Sequence, residues 1–224
     1  VTVADLDQLF SDSRFTDPRR QFHARWVYAK DRTFAEAGLA LFKEREPRVF
    51  AVYLQGTDVT AHYYWGYRRE EGFDVPDQDW RLYGNVVRNY YRFVDAEIDR
   101  YLDVCGDDTA VLIVSDHGFE TKRDLKALWE QGEAIRTAEG GKDVPWDHGV
   151  DGVIIMKGPG VRRNNRIGDV SVVDVTPTML AYLGLPVARD MDGEPVVELF
   201  RDDFLTEHPV EYVDTYESGE PTGD

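Results

Sequence analysis

The apolar positions of this chain fall into a short series of runs and stripes separated by polar stretches. Residues 1–32 are polar and carry no clear period. "TFAEAGLALFKERE" then predicts a helix: Thr33 and Glu36 have capping-box spacing, and Phe34, Ala37 and Leu41 mark an apolar face. "RVFAVYLQG", residues 48–56, predicts a buried strand ending at Gly56. "LYGNVVRNYYRFVDAEIDRYLDVC" predicts one long helix, with Val87, Tyr90, Val94, Ile98 and Tyr101 on a single stripe. "AVLIVS", 110–115, and "GVIIMKGPG", from 152, predict two more buried strands. "TPTMLAYLG" predicts a helix capped by Thr176, with Pro177 at its first position and Gly184 past its end. Residues 120–147 form a charged, Gly-bearing excursion, and the tail from 205 to 224 is acidic and expected to be loosely held.

Two near-continuous apolar strands joined by a long helix indicate a βαβ unit, and a unit of that kind belongs in a mainly parallel sheet covered on both faces. The fold class is therefore α/β, one domain built as a three-layer α/β/α sandwich. In such sheets functional groups gather beyond the carboxyl ends of the strands.

Composition narrows the function. The chain has 224 residues, is 42% hydrophobic, and carries a formal net charge of −17. That charge disfavours a nucleic-acid backbone or an anionic membrane as the main partner. No apolar run approaches the ~20 residues of a membrane span, and no signal peptide is visible. This tilts the expectation toward the cytoplasm, although a chain that does not open with Met is also what a processed piece looks like, and then the compartment stays open. Cys105 is the single cysteine, expected to be a buried, inert thiol.

The chemistry-bearing residues sit at the strand ends. "VLIVSDHGFE" runs from four apolar β-formers straight into Asp116, His117 and Gly118. "YLQGTDVTAHYYWGY" places Asp58 just past a strand and His62 four residues later, so that on a helical turn both reach one cation. "PWDHGVDG" sets His148 just before the next strand. Three of the five histidines thus lie at strand ends beside Asp and Gly. Taken singly, each motif is equally compatible with a turn cap or a surface pair; together they indicate a metal site. Asp with neutral His suits Zn²⁺, with Mn²⁺ or Fe²⁺ as alternatives. Asp58, His62 and His148 make three ligands for one ion, and Asp116 and His117 supply two for a second. Two ions roughly 4 Å apart clamp the attacking and leaving oxygens of a displacement at phosphorus.

The order Asp-x-x-x-His, Ser-Asp-His-Gly and a later His-Gly resembles the alkaline phosphatase superfamily, most closely its type I phosphodiesterase/nucleotide pyrophosphatase branch. "GVIIMKGPGVRRNNRIGDVSVVDVTPTMLAYLGLP" and "DMDGEP" resemble that branch's strand, turn, "D-x-x-P-T" helix and closing loop, and the likeness covers about residues 24–200. The resemblance implies hydrolysis of a small phosphate ester at two divalent metal ions. In the family the second ion also takes an earlier Asp and the hydroxyl of a Thr or Ser nucleophile. No strand ending in Asp followed by such a hydroxyl precedes Asp58, so the chain resembles the C-terminal half of such an enzyme, with the nucleophile expected upstream. Thr57, Thr60 and Ser115 are the hydroxyls nearest the expected ligands and are read as turn or helix caps. Tyr63, Tyr64 and Trp65, directly after His62, are candidates to line a leaving-group pocket, while an aromatic run on a helix also suits a core. Lys157 is either a phosphate contact or simply solvated. Rival readings within the superfamily are a sulfatase or a cofactor-independent phosphomutase; the rival in kind is a metal-binding module without activity.

Overall fold

The computed structural model describes residues 18–68, 75–121 and 146–217, with side chains from residue 24 onward. Most of the expected 120–147 excursion lies outside the described residues. In chain order the regular elements are α1 (Pro18–Arg45), α2 (Gly56–Tyr64), α3 (Asp77–Tyr83), α4 (Val86–Leu102), β1 (Val111–Ser115), β2 (Gly118–Thr121), β3 (Trp146–Gly149), β4 (Val153–Lys157), α5 (Val175–Tyr182), β5 (Val187–Ala188), α6 (Asp202–Glu207) and β6 (Tyr212–Val213). The chain is α/β and forms two compact units: one holds residues 1–105 and 117–151, the other residues 106–116 and 152–224. No described helix is long and apolar enough to cross a membrane.

In the first unit α1 is described from Pro18 to Arg45. It stops where Glu46 turns to a positive φ of 45° ahead of Pro47. The helix is thus already formed well before the expected cap at Thr33. Thr33 lies inside it, its hydroxyl donating to the Ala29 carbonyl at 2.7 Å. The expected apolar face is also displaced. Phe34 and Leu41 are 47% and 50% exposed, while Ala24, Val27, Tyr28, Asp31, Ala35 and Leu39 are buried. The reason is Asp31: a carboxylate in the middle of the true face hides its apolar period. Asp31 is fully buried and accepts hydrogen bonds from Gly56 N–H at 2.7 Å, Gln55 N–H at 3.2 Å and the Tyr90 hydroxyl at 2.9 Å.

The expected long helix is broken at Gly84 and Asn85 into α3 and α4. α4 buries Val86, Val87, Tyr90, Phe93 and Glu97, close to the expected stripe. Tyr28 and Phe93 meet with ring centroids 4.8 Å apart. Glu97 is buried and gathers the guanidinium groups of Arg32 and Arg100, the second at 2.6 Å. Residues 51–55, expected as part of a strand, form no strand. Their burial still alternates: Val52 and Leu54 are half-buried, Ala51 and Tyr53 exposed. The alternation suits a strand, but no ladder partner is present among the described residues. Cys105 is half-buried.

In the second unit β1 and β4 pair antiparallel, with Ile113 opposite Ile155. In place of one mainly parallel sheet, the described strands form three separate pairs: β1–β4 and β2–β3 antiparallel, β5–β6 parallel. An apolar run shows that a strand is buried without showing which way its partner runs. Ile154 and Met156 of β4 pack on the core formed by Ala181, Val187, Val196, Leu199 and Phe200, while Val153 and Ile155 on the opposite face are 54% and 57% exposed. The N-cap of α5 is Asp174 rather than Thr176, and its side chain makes no cap bond to this helix. Ser171 and Asp174 form a capping box at the 3₁₀ turn that leads into the helix. The tail is not loose through residue 217: Val187 N–H donates to the Glu211 carbonyl and Arg189 N–H to the Val213 carbonyl, fastening β6 to β5.

Candidate metal centre

The site is built in the first unit from one helix and one ribbon. α2 starts at Gly56, so Asp58 stands in its first turn and His62 one turn later on the same side. The ribbon pairs Gly118 with Gly149, Phe119 with His148, and Thr121 with Trp146. Side chains alternate along a strand, and directly opposed residues share a face. Phe119, Thr121, Trp146 and His148 therefore lie on one face, and this face meets the α2 segment. Trp146 Nε1 donates to the His62 carbonyl at 2.9 Å, and Trp65 Nε1 donates to Thr121 Oγ1 at 3.1 Å. The Phe119 ring stands 5.0 Å from both the His62 and the Trp65 rings. Gly118 is required by close approach, because a Cβ there would stand 2.3 Å from the Asp151 carbonyl oxygen.

Three imidazoles surround one carboxylate oxygen. Asp58 Oδ1 lies 3.2 Å from His62 Nε2, 3.3 Å from His148 Nε2 and 3.8 Å from His117 Nε2. His62 Nε2 and His148 Nε2 are 2.8 Å apart, and the His117 and His148 rings stack at 3.7 Å. Ligand atoms of Asp58, His117 and His148 all fall within 4.8 Å of one another. Despite these neighbours Asp58 Oδ1 is buried without a hydrogen-bond partner among the described residues. An orphaned carboxylate oxygen is costly unless a cation satisfies it. Two of these separations, Asp58 Oδ1 to the Nε2 atoms of His62 and His148, match the ~3.3 Å between ligands that sit about 2.0–2.1 Å from a tetrahedral ion. His117 Nδ1 lies 2.7 Å from the Gly118 carbonyl oxygen, which only accepts, so in the neutral ring the proton sits on Nδ1 and the lone pair on Nε2. The donor set therefore suits a divalent ion of the zinc class.

The structure thus brings together Asp58, His62, His117 and His148. It places His117 beside Asp58 and His148. Asp116 follows β1 and belongs to the second unit. Tyr64 is 1% exposed in the first unit's aromatic core, which corrects its expected place in a substrate pocket: a helical residue facing α4 has no open side. Tyr63 and Trp65 are half-buried against the same core. The Arg68 guanidinium stacks 3.4 Å over the Trp65 ring. Thr60 is buried with its hydroxyl committed to the Gly56 carbonyl at 2.6 Å, as a residue holding a helix turn. Phe119 and Trp146 were not foreseen, although Trp146 stands two residues before His148, the spacing that places both on one face of a strand.

Comparison with known proteins agrees with the motif order. Residues 6–190 match the family model described as type I phosphodiesterase / nucleotide pyrophosphatase. Similar curated proteins include arylsulfatase K of Canis lupus familiaris, 29% identical over 54% of this chain and 22% of its own length, and arylsulfatase K of Homo sapiens, 30% identical over 46% and 17%. A putative extracellular sulfatase Sulf-1 homolog of Caenorhabditis elegans is 32% identical over 36% and 13%. The chain spans less than a quarter of the length of each. No solved structure matches. With more than half of its residues inside the family model, the chain belongs to the type I phosphodiesterase/nucleotide pyrophosphatase family of the alkaline phosphatase superfamily, alongside sulfatases.

Proposed function

We propose that this chain carries the metal-holding part of a hydrolase acting on small phosphate esters, in the manner of phosphodiesterases and nucleotide pyrophosphatases. The observation that carries the reading is the buried, unpartnered Asp58 Oδ1 with three Nε2 atoms within 3.8 Å. Asp58, His62, His148 and His117 would hold a divalent ion, Zn²⁺ by the donor set with Mn²⁺ or Fe²⁺ as alternatives. The proposal keeps a second ion, with Asp116 as a ligand, inside an α/β/α sandwich. Bound divalent ions supply charge stabilisation for a displacement at phosphorus. The chain's own residues set the charge and tautomer of the site: Asp58 contributes the negative charge, and the Gly118 carbonyl fixes the His117 lone pair. Trp65 and Phe119 form an aromatic wall beside His62, suited to a leaving group with a flat apolar face. In this reading the nucleophile is supplied from outside residues 1–224.

The test loads the chain with Zn²⁺ or Mn²⁺ and measures binding and turnover of a p-nitrophenyl phosphodiester against an aryl sulfate. Metal-dependent binding of the phosphodiester, lost in His148→Ala, is expected, with little turnover by this chain alone. Preference for the aryl sulfate would favour the second reading, a sulfatase, which the sulfatase relatives support. Robust hydrolysis by the chain alone would place the nucleophile within it.

A further inference from the structure

We infer that Asp31 and Tyr90 are positioning residues for the metal centre: together they clasp the start of α2 and so set where Asp58 and His62 stand. The inference rests on the metal-site reading above. Asp31 is a fully buried acid on α1 among Val27, Tyr28 and Ala35, a place where a carboxylate is costly. Both of its oxygens bond at the start of α2, and one of them is also held by α4. Oδ2 accepts from Gly56 N–H at 2.7 Å and from the Tyr90 hydroxyl at 2.9 Å, and Oδ1 accepts from Gln55 N–H at 3.2 Å. These N–H groups at the start of a helix have no partner within it. A negative oxygen there also complements the helix dipole. Two successive N–H groups held by two oxygens of one carboxylate fix the helix in rotation as well as along its axis. The Lys30 ammonium adds a bond to the Gln55 side chain.

Gly56 shows how tightly the clasp closes. A Cβ at that position would stand 1.8 Å from the Tyr90 hydroxyl oxygen, so only glycine lets the phenol reach Asp31. Asp58 follows two residues later and His62 one turn beyond. The far end is held by Trp146, whose indole donates to the His62 carbonyl. A metal constellation tolerates displacement of only ~0.5 Å before its ligands lose the ion. A helix pinned at both ends meets that demand, and Asp31 is the pin no neighbour in sequence supplies.

The test titrates Co²⁺ alone into the full chain and records affinity and the visible absorption of the bound ion. Asp31→Asn keeps the side chain's shape and loses the paired acceptor oxygens. It is expected to fold with the same circular dichroism, to bind Co²⁺ ~10-fold or more weakly, and to show an altered absorption band at saturation. A merely structural role would lower the unfolding midpoint without changing that band. Tyr90→Phe removes one donor and leaves both backbone bonds; a severalfold weaker affinity is expected, and this variant decides the matter where Asp31→Asn fails to fold. Wild-type affinity and spectrum in the folded variants would overturn the inference. His148→Ala separates the two levels: a wild type that binds Co²⁺ no better than this variant removes the metal-site reading and the inference with it.

Discussion

The indole of Trp146 donates to the main-chain carbonyl of His62, 84 residues away in sequence, at 2.9 Å. The bond carries β3 to the end of α2 and brings His148 to His62. The Trp146 ring is packed as tightly as it is bonded, since a Cβ on Gly66 would stand 2.2 Å from it. Trp146→Phe removes the donor and keeps most of the ring. It should lower stability by about 1–2 kcal/mol in metal-free buffer and weaken metal binding besides. Denaturant unfolding with and without Zn²⁺ measures both; equal losses in the two conditions would mean that the bond does not serve the site.

Metal should stabilise the folded chain through Asp58. At a free Zn²⁺ concentration 100 times the dissociation constant, the gain is about 2.7 kcal/mol. Asp58→Asn should fold and show no such gain in a thermal melt. A full Zn²⁺ shift in this variant would place the ion elsewhere.

Burial holds the Asp31 carboxyl above its ordinary 3.8, even though Gly56, Tyr90 and Gln55 donate to it. A raised value in the fold means that the folded chain binds this proton more tightly than the unfolded chain. The associated stability is complete below the ordinary value and is lost as pH rises through the folded value. Unfolding midpoints of wild type and Asp31→Asn, compared from about pH 3 to 7 without metal, should show the advantage of the wild type shrinking as pH rises. A pH-independent difference would contradict this.

Glu97 is the anion of a buried cluster with Arg32 and Arg100, and Glu36 extends it by accepting from Arg100 at 2.8 Å. Glu97→Ala leaves two guanidinium groups facing each other across a cavity and should cost about 3 kcal/mol in chemical unfolding. Glu36→Gln, at the exposed end, should cost well under about 1 kcal/mol.

These residues also explain how far sequence alone reached. Asp58, His62, His117 and His148 stood out in the sequence as candidate ligands because each carries its chemistry in its residue type and its place near a strand end, and the fold brings the four close together. The stripe of α4 was readable because Tyr90 and Val87 follow the helical period. The face of α1 was not, because Asp31 occupies its centre and its reason lies in Gly56, 25 residues on. The direction of the β1–β4 pair was not, since nothing in an apolar strand encodes whether its partner runs with it or against it. The attachment of β6 was not readable because it is two residues long, too short to show a period, and is held by backbone bonds to β5.

The bare side of the β1–β4 pair bears on how the protein behaves in solution. Val153 and Ile155 face water there, and among the described residues neither strand has a second neighbour along its edge. Such a surface invites edge-to-edge stacking of molecules. A net charge of −17 opposes this by mutual repulsion, but only while the Debye length remains near 10 Å or more, as it does at about 0.1 M salt. Colloidal stability should therefore fail as salt rises, with light scattering increasing toward about 1 M, and Ile155→Lys should restore monodispersity without disturbing metal binding.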